Sequence, residues 1–123
     1  MKGDNKMCKY CGLDSDNAIM ENESFFAIYA KEPVITGHIL IVSKEHTDYF
    51  SLSYRNNEDL FMMVRNCRKY LEKRLSPDSY NIGLNVGAWA GQKEGHTVMH
   101  IIPRFAGDVP PEEVKRGILK AFK

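Results

Sequence analysis

The fold is most clearly indicated by the stretch His96-Thr97-Val98-Met99-His100-Ile101-Ile102-Pro103-Arg104. Its apolar run predicts a strand over residues 97–102, which Pro103 and Arg104 are expected to close. Because side chains alternate between the two faces of a strand, His96, Val98 and His100 are expected on one face. We therefore expect this strand to carry the functional centre.

Three more strands and a long helix are predicted upstream. Apolar and aromatic runs predict strands over residues 25–29 and 38–42, joined through Pro33, and alternation predicts a third over residues 80–86. Between them, apolar residues recur at spacings of three and four, which predicts an amphipathic helix over residues 58–75. Cys67 falls on this apolar stripe and is expected to be a buried hydrophobic residue. The stripe comprises Leu60, Met63, Val64, Cys67, Tyr70, Leu71 and Leu75.

The length and the two ends of the chain suggest one domain. With 123 residues, the chain is large enough for a single core. Residues 1–7 are polar and charged and are expected to be a disordered tail, followed by a single α+β domain over residues 8–123. An early proline, early glutamates and late lysines predict a short C-terminal helix over about residues 111–122.

The composition argues against several classes of partner. Seventeen Lys and Arg against sixteen Asp and Glu give a net charge of +1, which predicts binding to neither nucleic acid nor an anionic membrane. No window reaches the roughly 18 apolar residues of a membrane span, and the first residues lack the apolar core of a signal peptide, so we expect a cytoplasmic protein. In that reducing compartment the three cysteines are not expected to form disulfides.

Cys8 and Cys11 have the C-x2-C spacing with which two thiolates bind one tetrahedral zinc ion. A redox-active pair is the alternative, but such a pair normally opens a helix after a strand, whereas this one follows a polar tail. The spacing therefore favours zinc, which requires two further ligands.

The four histidines form two pairs from which those ligands would come. His96 and His100 would lie about 13 Å apart along a strand, too far to share one ion. His38 and His46 bracket another strand in the same way, so one histidine from each pair is the economical solution. We expect His46 to be the ligand of its pair, and His38 to be a hydrogen-bonded structural residue.

A loop over residues 87–95, which holds three glycines, precedes the histidine strand. Its segment Ala90-Gly91-Gln92-Lys93 is able to offer backbone N–H groups and a side-chain amide to a phosphate. Most glycine-rich connections are only turns, but beside the histidine strand this one indicates an anion site.

Taken together, four motifs resemble the histidine-triad (HIT) superfamily. They are Gly37-His38-Ile39-Leu40-Ile41-Val42-x-Lys44-x-His46, Tyr80-Asn81-Ile82-Gly83-Leu84-Asn85-x-Gly87, Ala90-Gly91-Gln92, and His96-x-x-x-His100-Ile101-Ile102-Pro103-Arg104-x-x-Gly107-Asp108. The resemblance runs from Cys8 to about Asp108 without a gap. It is closest to the bacterial-type branch described as diadenosine-polyphosphate hydrolase or nucleotide phosphoramidase.

The resemblance implies an α+β fold with an antiparallel meander sheet, a homodimer whose sheets join into one, and a purine-nucleotide site on the histidine strand. It implies zinc held by residues matching Cys8, Cys11, His46 and His96. With the loop residue Lys93 added, the candidate nucleotide or phosphate contacts are Asn85, Gly91, Gln92, Lys93 and His100.

Two positions depart from the family pattern. In the family, the middle histidine of H-x-H-x-H attacks the α-phosphorus and forms a covalent nucleotidyl intermediate, whereas here that position is Val98, which has no nucleophilic atom. Ala30 stands where relatives carry the Asp or Asn that hydrogen-bonds the ribose hydroxyls. An alternative register with four residues deleted makes His100 the first triad histidine, and it also leaves no nucleophile.

These features leave three functional hypotheses. The first is a zinc-containing nucleotide-binding protein that is catalytically impaired at Val98. The second is an active nucleotide hydrolase or nucleotidyl transferase acting on dinucleoside polyphosphates or nucleoside phosphoramidates, with His100 as the candidate reactive group. The third is a non-catalytic interaction or scaffold protein.

Overall fold

The computed structural model describes residues 8–12, 15–92, 94–110 and 112. Its strands are β1 (Met20–Glu21), β2 (Phe25–Tyr29), β3 (Ile39–Ser43), β4 (Ser79–Gly83) and β5 (Val98–Arg104), and its long helix is α1 (Tyr54–Leu75). The strands form one antiparallel sheet in the order β1-β2-β3-β5-β4, which confirms the predicted α+β class. The predicted tail, Lys93 and all of the predicted C-terminal helix except Glu112 lie outside the described residues.

Helix α1 begins four residues before the predicted start at residue 58. The Ser53 hydroxyl accepts a hydrogen bond from the Asn56 N–H, and the Asn56 side chain accepts one from the Ser53 N–H, which together form a capping box. The apolar period could not predict this start because the first turn of the helix is polar. The helix ends at Leu75, where Ser76 adopts the left-handed conformation ahead of Pro77.

The buried face of α1 packs against one face of the sheet. Leu60, Met63, Cys67 and Leu71 repeat at helical spacing and contact Phe25, Ala27, Ile39, Ile41 and Ile101 from the three central strands. Full burial raises the pKa of the Cys67 thiol to about 12, so this cysteine is a protonated core residue as predicted. Within the described residues, no helix is apolar over a length that would cross a bilayer.

The opposite face of the sheet, which we call the open face, holds a second apolar cluster. Phe26, Leu40 and Val42 form its buried part, and Tyr10, Ala30 and Val98 are among the residues packed against it. Val98 pairs with Val42, and His100 pairs with Leu40, so both side chains of β5 project from this face. The candidate functional residues of β5 therefore lie away from α1.

Two strand boundaries differ from the prediction. Strand β4 ends at Gly83 rather than residue 86, because there the chain leaves β5 and enters the glycine-rich loop. Strand β5 continues through Pro103, which the sequence was expected to place at its end. Its pairing with β3 stops at Ile101, so Pro103 has a neighbour only in β4 and its missing N–H removes no bond to β3.

Candidate metal centre and ligand cleft

The four residues predicted to bind metal meet at one point of the structure. The ligand atoms of Cys8, Cys11, His46 and His96 all lie within 4.8 Å of one another, and this group could hold a metal ion. Cys11 Sγ lies 3.0 Å from His46 Nδ1 and 3.7 Å from His96 Nδ1, while Cys8 Sγ lies 3.6 Å from His96 Nδ1. The two histidine Nδ1 atoms are 3.3 Å apart.

Three of these four separations, 3.3, 3.6 and 3.7 Å, match a tetrahedral centre, and the 3.0 Å between Cys11 Sγ and His46 Nδ1 is shorter. Bond lengths of about 2.3 Å to sulfur and 2.0–2.1 Å to nitrogen place tetrahedral ligand atoms roughly 3.3–3.8 Å apart. Burial, followed by the hydrogen bond and charge of Cys8, raises the pKa of the Cys11 thiol. A cation bound between the two sulfurs would favour their thiolate forms, and the donor set of two sulfurs and two imidazoles suits zinc.

His96 is held in the protonation state that a metal ligand needs. Its Nε2–H donates a hydrogen bond of 2.7 Å to the Ser43 carbonyl oxygen, which leaves an unprotonated Nδ1 directed at the two sulfurs. Burial lowers the pKa of His96, so the neutral ring is favoured. The buried carbonyl thus orients the ring as the second shell of a metal site does.

Backbone contacts bring the two histidine ligands together. The Thr97 N–H and hydroxyl both donate to the Thr47 carbonyl, at 2.8 and 2.6 Å. His96 lies two residues before the start of β5, just outside the predicted strand over residues 97–102. The Thr97 carbonyl also accepts from the Ser43 N–H at 3.1 Å, so Thr97 is bonded on one side to the end of β3 and on the other to Thr47, and this brings His96 to His46.

A cleft of about 160 Å³ adjoins the metal centre. It brings together four of the five predicted nucleotide contacts, namely Asn85, Gly91, Gln92 and His100, and the fifth, Lys93, lies outside the described residues. Val98 and the metal-centre residue His96 also line it. The middle position of the triad therefore presents a hydrocarbon side chain to this cleft.

In the described part of the segment predicted to bind an anion, the N–H groups of Ala90, Gly91 and Gln92 donate within the glycine-rich loop. The N–H groups of Ala90 and Gln92 donate to the Gly87 carbonyl, and that of Gly91 donates to the Ala88 carbonyl. The Gln92 amide accepts from the Gly87 N–H at 2.7 Å and donates to the His96 carbonyl at 3.1 Å. These groups hold the loop against the metal centre, because each satisfies a partner within the loop or beside it.

His100 belongs to a hydrogen-bonded chain that sequence reasoning did not predict. The Val34 N–H donates to His38 Nδ1 at 3.0 Å, so the proton of neutral His38 is on Nε2. That Nε2–H donates to His100 Nδ1 at 2.9 Å, which places the proton of neutral His100 on Nε2. Burial lowers the pKa of both rings, that of His38 to about 4 with a smaller contribution from His100. His38 is thus the hydrogen-bonded residue predicted, and it also fixes the tautomer of His100.

Four further residues line the cleft and were not predicted. Lys9 and Tyr10 lie between the two cysteines, and Glu32 and Glu94 come from the β2–β3 connection and the glycine-rich loop. The C-x2-C spacing places Lys9 and Tyr10 beside the metal, which is the signal that could have identified them. Glu32 and Glu94 are in irregular segments, where no periodicity predicts which way a side chain points.

Comparisons with known proteins agree with this geometry. The model of the HIT domain matches residues 14–107. An uncharacterised HIT-like protein of Methanocaldococcus jannaschii is 34% identical over 120 residues, which cover 93% of this chain and 90% of that protein. Among solved structures, a zinc-bound histidine triad family protein from Mycobacterium smegmatis has a TM-score of 0.73 and 27% identity, with 95% of this chain and 94% of that one covered. A hypothetical histidine triad nucleotide-binding protein from Sulfolobus tokodaii has a TM-score of 0.73 and 30% identity, with 85% and 74% covered.

Proposed function

The chain belongs to the HIT domain family, and from that membership we propose that it is a zinc-containing nucleotide-binding protein whose catalytic step is impaired. The proposal has three parts, which are the zinc ion, the nucleotide cleft and the missing nucleophile. Val98 at the middle triad position, lining the cleft beside His100, is the observation that carries it.

Zinc is the proposed ion for Cys8, Cys11, His46 and His96. The separations of their ligand atoms suit tetrahedral coordination, and the similar protein from Mycobacterium smegmatis is zinc-bound. With four protein ligands the site is closed, which is typical of structural zinc. The ion would fasten the N-terminal segment to the turn after β3 and to the segment before β5.

The proposed nucleotide site is the cleft next to this centre. Asn85 and His100 bring an amide and an imidazole to it, and Gly91 and Gln92 form its loop wall. Because His38 donates to His100 Nδ1, neutral His100 carries an N–H on Nε2, which is a suitable donor to a phosphate oxygen. The similar protein from Sulfolobus tokodaii is described as nucleotide-binding. Lys93, whose placement the structure leaves undescribed, stays a candidate contact from the sequence.

The impaired step is the formation of a bond to phosphorus. In the family mechanism an imidazole nitrogen at the middle triad position supplies the electron pair of that bond, and the leaving group departs with its own pair. The isopropyl group of Val98 has no such pair. His100 Nδ1 already accepts from His38, so His100 is better arranged as a donor than as a nucleophile.

The substitution Val98→His tests this proposal. The wild-type protein should bind AMP but release AMP from adenosine phosphoramidate no faster than the uncatalysed background, whereas Val98→His should exceed that background about 100-fold, on the order of a single catalytic group. Release of AMP is measured by chromatography. Val98→Ala is the matched control and should stay inactive, and His100→Ala should reduce the activity gained by Val98→His. Wild-type turnover that His100→Ala abolishes would show instead an active enzyme with an unusual reactive group.

We also infer that two copies of the chain pair through β4. In the described sheet β4 is an edge strand with β5 as its neighbour, and such an edge is open to pairing. Ile82 of β4 is 43% exposed, and Trp89 in the following loop is fully exposed, which supplies apolar area for an interface. Sedimentation should give twice the chain mass for wild type and the single mass for Ile82→Glu. Phe50→Glu, at an exposed aromatic residue outside β4 and the loop that follows it, should stay dimeric, and a monomeric wild type would overturn the inference.

A further inference from the structure

The segment Cys8–Cys11, which we call the metal knuckle, is also a wall of the cleft. Its middle residues Lys9 and Tyr10 line the same cavity as Asn85, Val98 and His100. The flanking residues Cys8 and Cys11 belong to the metal centre. One short segment of chain therefore serves both sites, with ligand atoms at its ends and cleft-lining side chains between them.

Tyr10 is positioned by its contacts with both sites. Its ring centroid lies 5.8 Å from that of His96, and the ring packs against the open-face cluster of Phe26, Leu40 and Val42. Within the knuckle, the Cys11 N–H donates to the Cys8 carbonyl at 3.2 Å, which closes a turn. Among the described contacts, the knuckle meets the sheet through the Tyr10 ring and reaches the segments around His46 and His96 through its two cysteines.

Lys9 is the positive charge of the described cleft lining. Its ammonium lies 5.2 Å from the centroid of the Tyr10 ring, so the two side chains stand together at the cleft. The carboxylates of Glu32 and Glu94 line the same cavity and oppose an anion there. His38 and burial keep His100 neutral, so within the described lining the attraction for a phosphate depends on Lys9.

We propose that Lys9 and Tyr10 contact the nucleotide, Lys9 at its phosphate, and that metal binding sets nucleotide affinity by holding the metal knuckle against the cleft. This inference rests on the proposed function, because it concerns the same cleft. A ligand that binds more tightly when the knuckle is fixed must itself favour the fixed knuckle. The two affinities are therefore coupled by one factor, which acts equally in both directions.

The experiment measures AMP binding by calorimetry on the zinc-loaded full chain. Lys9→Gln should retain one zinc per chain and bind AMP about 5-fold more weakly, as expected for one partly exposed charge pair. Glu32→Gln should bind AMP more tightly, because it removes an opposing charge from the same cleft. Lys69→Gln, on the exposed face of α1, is the matched control and should leave AMP affinity unchanged.

The coupling between zinc binding and AMP binding is measured separately. Zinc affinity is determined by competition of the protein with a chromogenic zinc chelator. AMP at saturating concentration should raise the zinc affinity at least 10-fold in wild type, and this effect should be smaller in Lys9→Gln and in Tyr10→Leu. If wild type binds AMP but AMP leaves zinc affinity unchanged, or Lys9→Gln binds AMP like wild type, the inference is overturned while the proposed function stands. If zinc-loaded wild type does not bind AMP at all, both are overturned.

Discussion

His96 and His100 are four residues apart in the chain. Their neutral rings nevertheless have different hydrogen-bond partners, and each ring therefore offers a different nitrogen atom to a ligand. His96 donates its Nε2–H to the Ser43 carbonyl and turns an unprotonated Nδ1 to the metal centre. His100 accepts at Nδ1 from His38, which leaves its own proton on Nε2 as a donor. A lone pair suits a metal ion, whereas an N–H suits a phosphate oxygen. What surrounds each ring, rather than the residue type, therefore decides which chemistry it supports.

The two regions also differ in how completely they retain their chemistry. The metal centre has all four donors at separations suited to one ion. Val98 and Ala30 depart from the family pattern, and both pack with the apolar open-face cluster, while of the two Val98 lines the cleft. The contacts that form the metal centre and fix the tautomer of His100 do not involve the side chain at position 98.

The largest expected effect is the loss of the metal centre by Cys11→Ser. The variant should lose its zinc on dialysis, whereas wild type retains one ion per chain. At a free zinc concentration a thousandfold above the dissociation constant, the bound ion contributes about 4 kcal/mol to the free energy of unfolding. Elemental analysis and urea denaturation measure the two quantities.

Cys67 provides the control for this experiment. Cys67→Ala removes a thiol that is fully buried in the core under α1 and distant from the ligands. It should lower stability by a small cavity cost and leave the zinc content unchanged. If Cys11→Ser kept its zinc and its stability, the four-ligand assignment would fail. The metal centre could then no longer be contrasted with the cleft as a site with all four of its donors.

Local sequence signals predicted the central residues of the helix and the main strands, but not the residues at which these elements begin and end. The apolar spacing of α1 identified its buried face, but the polar capping box at Ser53 and Asn56 placed the start earlier. The last strand was predicted over residues 97–102, whereas β5 runs from Val98 to Arg104, and Thr97 just before it donates twice to the Thr47 carbonyl. Element ends depend on single contacts between distant segments, which no local period encodes.

The candidate site followed the same division. The C-x2-C spacing pointed to Cys8 and Cys11, the pairing of the histidines pointed to His46, and family resemblance supplied His96, and the structure brings all four together. Neither source predicted the hydrogen bond from His38 to His100 or the position of Lys9 in the cleft wall. Those features arise where residues far apart in sequence meet after folding.

A smaller effect than the loss of the metal centre is expected at His38, which is bonded to His100 of the cleft. It is a dependence of the free energy of unfolding on pH. Burial, with a smaller contribution from His100, lowers the pKa of His38 to about 4 from an ordinary 6.5. A proton on Nδ1 would also stand against the Val34 N–H that this nitrogen accepts. The unfolded chain therefore binds this proton more readily between pH 4 and 6.5. The stability contributed by neutral His38 is complete above about pH 6.5 and is lost as the pH falls towards 4, by about 3 kcal/mol in all.

The variant His38→Asn separates this titration from acid release of the metal, because the metal centre is the same in both proteins. At pH 7 the variant should be less stable by about 1–3 kcal/mol, since Val34 and His100 lose a buried partner. As the pH falls to 4 that difference should vanish or reverse, because only wild type carries the cost of a buried His38. Urea denaturation at several pH values measures the difference, and a constant value from pH 7 to 4 would show that His38 does not hold the tautomer of His100. The two histidines of the comparison would then differ only in their distance from the metal.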